Sequence, residues 1–303
     1  MIKRQSAFQK DGVFLKGNLH CHSSLSDGTA SPAEVIRNYA EKGFDFLAIT
    51  DHRRYNSTNY APESGFLILP GMEADRFLDG KGMPVVHIVA IGAETDNGYT
   101  DGQMVEYERG GTAKECQDII DDVHAAGNLA ILAHPIWSGN TVEDVLALQN
   151  FELMEVWNSG SAMAWGVDTN TYHWDVLLSQ GRKVYGVAAD DSHHLFENGF
   201  GYVMVKAEKT IPAVLDALKK GEFYASCGPE IYDFYIEDGQ VHINCSPVSQ
   251  IMLRNFSAPH RLIRGENLTV GQFKLRDCCT DYIRAEIVDA QGRRAWTNPI
   301  FLD

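Results

Sequence analysis

The chain has 303 residues, 44% of them hydrophobic and 22% charged, an ordinary balance for a soluble globular protein. A formal net charge of -15 excludes non-specific binding to duplex nucleic acid, and admits a small anion only where bound cations reverse the local potential. No apolar run reaches the about 18 residues of a membrane span, and none of signal-peptide length follows MIKRQSAFQKDG, so a cytoplasmic protein with no membrane partner is expected.

Helix and strand signals alternate from residue 13 to residue 225. Ser31-Pro32-Ala33-Glu34 is a capping box with proline at the first helical position, and Gly43 stops the helix it opens. FDFLAIT (44–50) follows as a buried strand. Thr112-Ala113-Lys114-Glu115 reads as a second capping box, with a helix ending near Gly127 and the strand LAILA (129–133) after it. ELMEV (152–156) and VYGVAA (184–189) are further apolar strands, each preceded by helical pattern. Thr210-Ile211-Pro212 opens a last helix that ends at Gly221. These repeated units predict a mostly parallel sheet covered by helices, and around seven strands favour a barrel over an open sheet. No GxGxxG follows the first strand, so a dinucleotide fold has no support. The polar, glycine-rich stretch 93–112 is expected as an exposed excursion near the barrel mouth.

The texture changes after Gly228-Pro229. Short alternating runs (YDFYIED, QVHINC, SQIMLRN, YIRAEIVD) with turns at Asp238-Gly239 and Gln291-Gly292 predict a small antiparallel β domain, sandwich-like in type. The expected division is therefore residues 1–227 and 228–303. The six cysteines form no CxxC pair and read as reduced thiols.

Residues with metal-binding chemistry gather at strand ends. His20 and His22, in GNLHCHSSLSDG, are i and i+2 of a strand, so both imidazoles can reach one cation; taken alone they can equally be two solvated histidines. Alternation points Cys21 the other way, against a thiolate ligand. Asp51 and His52 follow LAIT, Glu73 follows LILPGM, and His87 lies within VVHIVAIG. His134 follows LAILA, and Asp190, Asp191 and His193 follow VYGVAA. One buried histidine is most simply a hydrogen-bonded core residue. Several independent strands all ending in His, Asp or Glu lack that explanation, because βα barrels converge such ends on one face. The nitrogen and oxygen donors suit two or three divalent ions (Zn, Mn or Fe), and Glu73 can bridge a pair. Arg53 and Arg54 are candidate phosphate clamps or, alternatively, exposed loop arginines. Asn158, in EVWNSG, is a candidate substrate contact. Trp157 is favoured as core over a base-stacking platform. His194 either extends the site or faces solvent, and His124, His173, His242 and His260 read as structural or surface residues.

The motifs HCHSSLSDG, AITDH, PGME, HIVAIG, AHP and DDSH, in this order, resemble the PHP (polymerase and histidinol phosphatase) domain family over residues 13–225. The resemblance implies an α/β fold, a distorted (βα)7 barrel, here joined to the C-terminal all-β domain. It implies that His20, His22, Glu73 and Asp191 hold a first ion. Glu73 and His134, with His87, hold a second, and Asp27, His52 and His193 a third. His193 or Asp51 is then a candidate for proton transfer, with Asp51 alternatively orienting a ligand histidine. The implied activity is a phosphoesterase acting on a small phosphorylated substrate, nucleotides and short oligonucleotides included, through a metal-bound hydroxide. The tail AWTNPIFLD resembles the β-rich extension of a branch with carbaryl-hydrolase relatives. A carboxylic ester or carbamate hydrolase is therefore the alternative, and a non-catalytic metal-binding module the third reading.

Overall fold

A computed structural model of the protein describes residues 4–8, 12–78, 85–92, 98–108, 110–167, 169–256, 261–275 and 281–302. His260, Cys278, Cys279 and part of the 93–112 stretch lie outside these residues. The first half contains β1 (Gln5–Ser6), β2 (Phe14–Asn18), α1 (Pro32–Glu41), β3 (Phe46–Ala48), β4 (Leu67–Leu69), β5 (Gly71–Phe77) and β6 (Val85–Ile91). Then come α2 (Gln117–Ala125), β7 (Leu129–Leu132), α3 (Val142–Ala147), β8 (Leu153–Asn158), α4 (Ser159–Trp165), α5 (Thr171–Ser179) and β9 (Tyr185–Ala189). β10 (Tyr202–Lys206), α6 (Ile211–Lys220) and β11 (Phe223–Ser226) complete the alternating part. The remainder is β12 (Ile231–Glu237), β13 (Gln240–Arg254), β14 (Arg261–Lys274), β15 (Tyr282–Val288), β16 (Arg294–Thr297) and β17 (Ile300–Phe301).

Local signals account for most helix ends. Ser31 accepts from the Glu34 N–H while Glu34 reaches back to the Ser31 N–H, so the first capping box forms. Thr210 accepts from the Ala213 N–H, and Gly221 ends α6 in the left-handed region at φ 72°. The capping box expected at Thr112 does not form. There the chain makes a 3-10 turn over Ala113–Cys116, and the Glu115 N–H is already bonded to the Thr112 carbonyl at 2.9 Å. The donor that the threonine side chain would have capped is thus taken by the backbone.

Among the described residues the ladders form two sheets. The first runs β5-β6-β7-β8-β9; β7-β8 and β8-β9 are parallel, and the pairs involving β6 are antiparallel. The second, of twelve strands, runs β1-β12-β13-β15-β16-β11-β10-β2-β3-β4, with β14 on β13 and β17 on β15. Among the described residues no continuous ladder joins the sheets, so the mixed α/β fold is seen while a closed form of the expected distorted (βα)7 barrel is not. They meet through isolated bridges, Cys21 with Ser192 and His52 with Glu73. The C-terminal strands carry the larger sheet onward through the β16–β11 pairing.

Strand alternation sorts the core. Val89, Ile91, Leu129, Ile131, Leu153 and Val187 pack with Leu15, Phe46, Leu69, Val203 and Val205, which places one core between the two sheets. Their neighbours Ile88, Ala90, Ala130, Leu132, Met154 and Ala188 face the other way, against Ile119, Ile120 and Val123 of α2 and Trp174 and Leu177 of α5. A further core fills the C-terminal strands, with Phe234, Ile243, Ile251, Ile283 and Ile287 fully buried.

Candidate metal centre

The same alternation builds the site. On β5, Met72 and Ala74 belong to the helix-side core, so Glu73 and Asp75 project to the inner side. His87 shares parity with Val89 and Ile91, and Glu155 with Leu153. Past the strand ends, loops supply the rest: His20, His22 and Asp27 after β2, His52 after β3, His134 after β7, and Asp191 and His193 after β9. The loops are pinned to one another. Asp191 N–H donates to the His20 carbonyl at 2.8 Å, His22 N–H to the Ser192 carbonyl at 2.9 Å, and Arg53 N–H to the Glu73 carbonyl at 2.7 Å. Three residues here have positive φ, Arg53 at 56°, His134 at 24° and Asp191 at 50°, a backbone strain that side chains rarely accept outside functional sites.

Four overlapping sets of side chains converge: His20, His22, Glu73 and Asp191; His52, Glu73 and His87; His22, Asp27, His52 and His193; and His20, His134 and Glu155. Glu73 sits at the hub. Its Oε2 lies 3.3 Å from His20 Nε2, 3.4 Å from His22 Nε2 and 3.2 Å from His52 Nδ1. Its Oε1 lies 2.6 Å from His87 Nδ1 and 3.3 Å from His134 Nε2. Asp191 Oδ1 is 3.1 Å from His22 Nε2 and 3.3 Å from His20 Nε2. Asp27, at the solvent side, is 3.4 Å from His193 Nε2, 3.5 Å from His22 Nδ1 and 3.6 Å from His52 Nε2.

The arrangement fits cations on two counts. His22 Nδ1, His52 Nδ1, Glu73 Oε2 and Asp75 Oδ1 are buried without a hydrogen-bond partner, a costly state that a cation relieves. The Nε2 atoms of His20 and His22 also stand 3.2 Å apart, facing one another and two carboxylates. Electrostatics agree. Burial opposes charge on His20, but Asp191, Glu73 and Glu155 outweigh it and hold its pKa well above the usual imidazole value. Burial likewise opposes charge on His22, and its hydrogen bond to Asp191 and the nearby Glu73 carboxylate raise it to about 10. Burial works against charge on Glu73, yet His87, His20 and His52 hold it well below the ordinary carboxylate range. The carboxylates call for positive charge, which protons or cations supply in competition.

The remaining expected residues divide. Arg53 lies at the rim, Nε 3.3 Å from Asp75 Oδ1, with 43% of its side chain exposed. Arg54 donates to the Gly102 carbonyl at 3.3 Å and forms a backbone bridge with Met104. Asp51 accepts from the Ser23 N–H, the hydroxyls of Ser23 and Ser26, and Asn56 Nδ2, at 2.7–2.8 Å. Those four bonds make it the anchor of the loop carrying Asp27, and the geometry gives no support to proton transfer by Asp51. Asn158 is buried and donates to Glu155 Oε2 at 2.8 Å and Asp191 Oδ2 at 3.3 Å, so it braces carboxylates instead of facing open solvent. His193 directs Nδ1 to the Asp191 carbonyl at 3.1 Å and Nε2 to Asp27. Cys21 Sγ points to the Ala48 carbonyl, away from the histidines. Trp157 packs on the helix-side core. His194 bonds Thr29 and stacks on Phe196.

Three site residues escaped sequence reasoning. Glu155 is a buried carboxylate inside an apolar strand, and that oddity was its signal. Asp75 shares the face of Glu73 by strand alternation. Trp137 lies edge-on to His134 and His87, ring centroids 4.8 and 5.8 Å away, and stays 39% exposed.

An α/β fold whose strand ends and loops bring His, Asp and Glu to one centre presents side-chain clusters that could hold metal ions. The PHP domain model matches residues 18–226, the greater part of the chain, and the protein belongs to that family. A 5'-3' exoribonuclease of Haemophilus influenzae is 34% identical over 80 residues, 25% of this chain and 28% of that protein. The DNA polymerase/3'-5' exonuclease PolX of Bacillus subtilis is 46% identical over 41 residues, 14% of this chain and 7% of that protein. The chain thus covers well under two thirds of either relative's length. A solved structure from Bacteroides vulgatus, described as a two-domain protein containing a predicted PHP-like metal-dependent phosphoesterase, matches with TM-score 0.51 and 13% identity over 100% of both chains. At that identity the likeness speaks for the fold.

Proposed function

We propose that the protein is a metal-dependent phosphoesterase that hydrolyses a small phosphorylated substrate, with nucleotides and short oligonucleotides in the candidate range. The observation that carries this reading is Glu73, whose two oxygens face five histidines and so serve two ligand sets at once. His20, His22 and Asp191 complete one set with it, His87 and His134 face its other oxygen, and Asp27, His52 and His193, with His22, form a third set nearer solvent. When bound, divalent cations there neutralise phosphate oxygens and lower the pKa of water. The chain's own side chains do the rest. Asp51 and Asn158 hold the ligand loops in place, and His193, the most exposed ring of the three sets, offers Nε2 to a third cation or, with only the inner sets filled, to a proton. Arg53 offers a guanidinium at the rim, and Trp137 offers an aromatic surface beside the centre. Residues 1–227 carry this chemistry in the proposed division, with 228–303 as a supporting β region.

The nuclease names of the two relatives favour phosphoester over carboxylic ester or carbamate chemistry. The test is the metal-loaded protein against p-nitrophenyl phosphate, bis-p-nitrophenyl phosphate and p-nitrophenyl acetate. Turnover of either phosphate supports the proposal. Turnover of the acetate alone moves the assignment to an esterase. Metal bound with no turnover of any of them leaves a binding module and overturns the proposal.

A further inference from the structure

We propose that Glu155 is a positioning residue that decides which nitrogen of His20 faces the metal centre and, with its second oxygen, sets the pose of His134. The inference rests on the metal reading above. Glu155 is 1% exposed on the inner side of β8. Its Oε1 lies 2.6 Å from His20 Nδ1. Its Oε2 accepts the His134 N–H at 2.9 Å and the Asn158 Nδ2 amide at 2.8 Å. The last two partners can only donate, and a carboxylate can only accept, so His20 donates as well and carries a proton on Nδ1. With a cation bound, Nε2 keeps its lone pair, and Nε2 is the atom 3.3 Å from both Glu73 and Asp191.

The second oxygen acts on a different loop. His134 has φ 24°, a conformation that non-glycine residues avoid, and the bond from its N–H offsets part of that strain. It leaves His134 Nε2 directed at Glu73, 3.3 Å away. Glu155 is itself held: Asn158, which grips Oε2, spends its own carbonyl on the Ser161 N–H at the start of α4. With three donors on two oxygens, the carboxylate is committed, and direct ligation would require it to release them. One buried side chain thus aligns ligands that follow β2 and β7, far apart in sequence.

Glutamine separates this role from space filling. It has the same size, but one acceptor oxygen and one NH2, so it confronts at least one of the three donors with another donor. If the NH2 faces His20, the ring must move its proton to Nε2, where a cation belongs.

The experiment uses full-length wild type and E155Q, stripped with chelator and titrated with zinc against a chromophoric competitor. Long-range proton–nitrogen NMR of zinc-loaded wild type is recorded alongside. Zinc affinity in E155Q is expected to fall about 10–100-fold, and wild-type His20 to show its proton on Nδ1 and zinc on Nε2. Equal affinity in E155Q, or a wild-type His20 with its proton on Nε2, overturns the proposal. The NMR readout is independent of whether E155Q folds, and a purely structural glutamate would not dictate the tautomer. A wild-type protein that takes up no zinc overturns the metal reading itself, a distinguishable failure.

Discussion

Glu73 and Asp191 are the residues least replaceable at the centre, because each faces several imidazoles from different loops. Glu73→Gln keeps the shape but removes the charge, as Asp191→Asn does at its own position. Each is expected to lower kcat/KM by on the order of 10²–10³-fold or more, with metal content falling by elemental analysis. His22→Ala is expected to do the same. Full metal content and near-normal rates in all three variants would remove the site. The histidines also set a pH dependence. The folded pKa of His22 is about 10 against an ordinary 6.5. The stabilisation it gives the metal-free fold is therefore fully present below about 6.5 and fades as pH rises through about 10. Glu73 is displaced in the opposite sense, so its part is present above the ordinary carboxylate range and fades as pH falls. Chelated protein is expected to have its highest Tm between about pH 5 and 6.5 and to lose Tm toward pH 10. Metal-loaded protein should keep its Tm on the alkaline side, since protons no longer supply the positive charge. Calorimetry with and without chelator checks both; a flat alkaline limb in the chelated protein contradicts the scheme.

The loop between β2 and α1 is the element on which the solvent-side ligand set depends. Asp51 draws together Ser23 and Ser26, Ser23 Oγ in turn accepts the Leu25 N–H, and beyond Asp27 the Gly28 N–H donates to the Ser23 carbonyl at 2.9 Å, so the turn is tied down on each side of Asp27. The chain also closes tightly at Gly28, where an added Cβ would lie 2.7 Å from the His22 carbonyl carbon and 2.8 Å from Ser23 Cα, both backbone atoms. Backbone cannot yield as a flexible side-chain tip can. Gly28→Ala is therefore expected to displace Asp27 together with the His22–Ser23 backbone and to lower metal content. Metal stoichiometry, measured beside far-UV circular dichroism, checks this; unchanged stoichiometry would mean that the loop adjusts without moving Asp27.

Across the whole molecule, the C-terminal strands are locked to the alternating part by one buried cation. Arg284 of β15 makes two bonds to Asp175 of α5, at 2.6 and 2.8 Å, and lies over the Trp174 ring at 4.7 Å. Tyr282 adds a hydroxyl to the same carboxylate at 2.8 Å. Asp175→Ala leaves Arg284 buried with Glu286 as its remaining acidic neighbour, 3.7 Å away. Breaking a buried pair on one side costs about 3–5 kcal/mol, and the lower end is expected because Asp175 keeps some contact with water. Urea unfolding followed by tryptophan fluorescence should show the midpoint shift. A midpoint equal to wild type would mean that the β11–β16 pairing and contacts such as Asn298 with Gly186 unite the two regions without it.

Much of this protein was legible in the chain before any fold was known. Periodicity, capping residues and glycine stops located α1, α6 and the strands β3, β7, β8 and β9, because those signals act over a few neighbouring residues. Motif order also brought His20, His22, Asp27, His52, Glu73, His87, His134, Asp191 and His193 into one candidate set, and their convergence is seen in the fold. What local pattern could not decide was pairing. The antiparallel β5-β6-β7 run, the split of the described strands into two sheets and the continuation of one sheet into the C-terminal strands depend on contacts between segments distant in sequence. The same holds for partner choice. That Asp51 accepts from the Ser23–Ser26 loop, that Arg54 bonds Gly102 and that Glu155 joins the centre depend on whichever groups the fold buries beside each side chain.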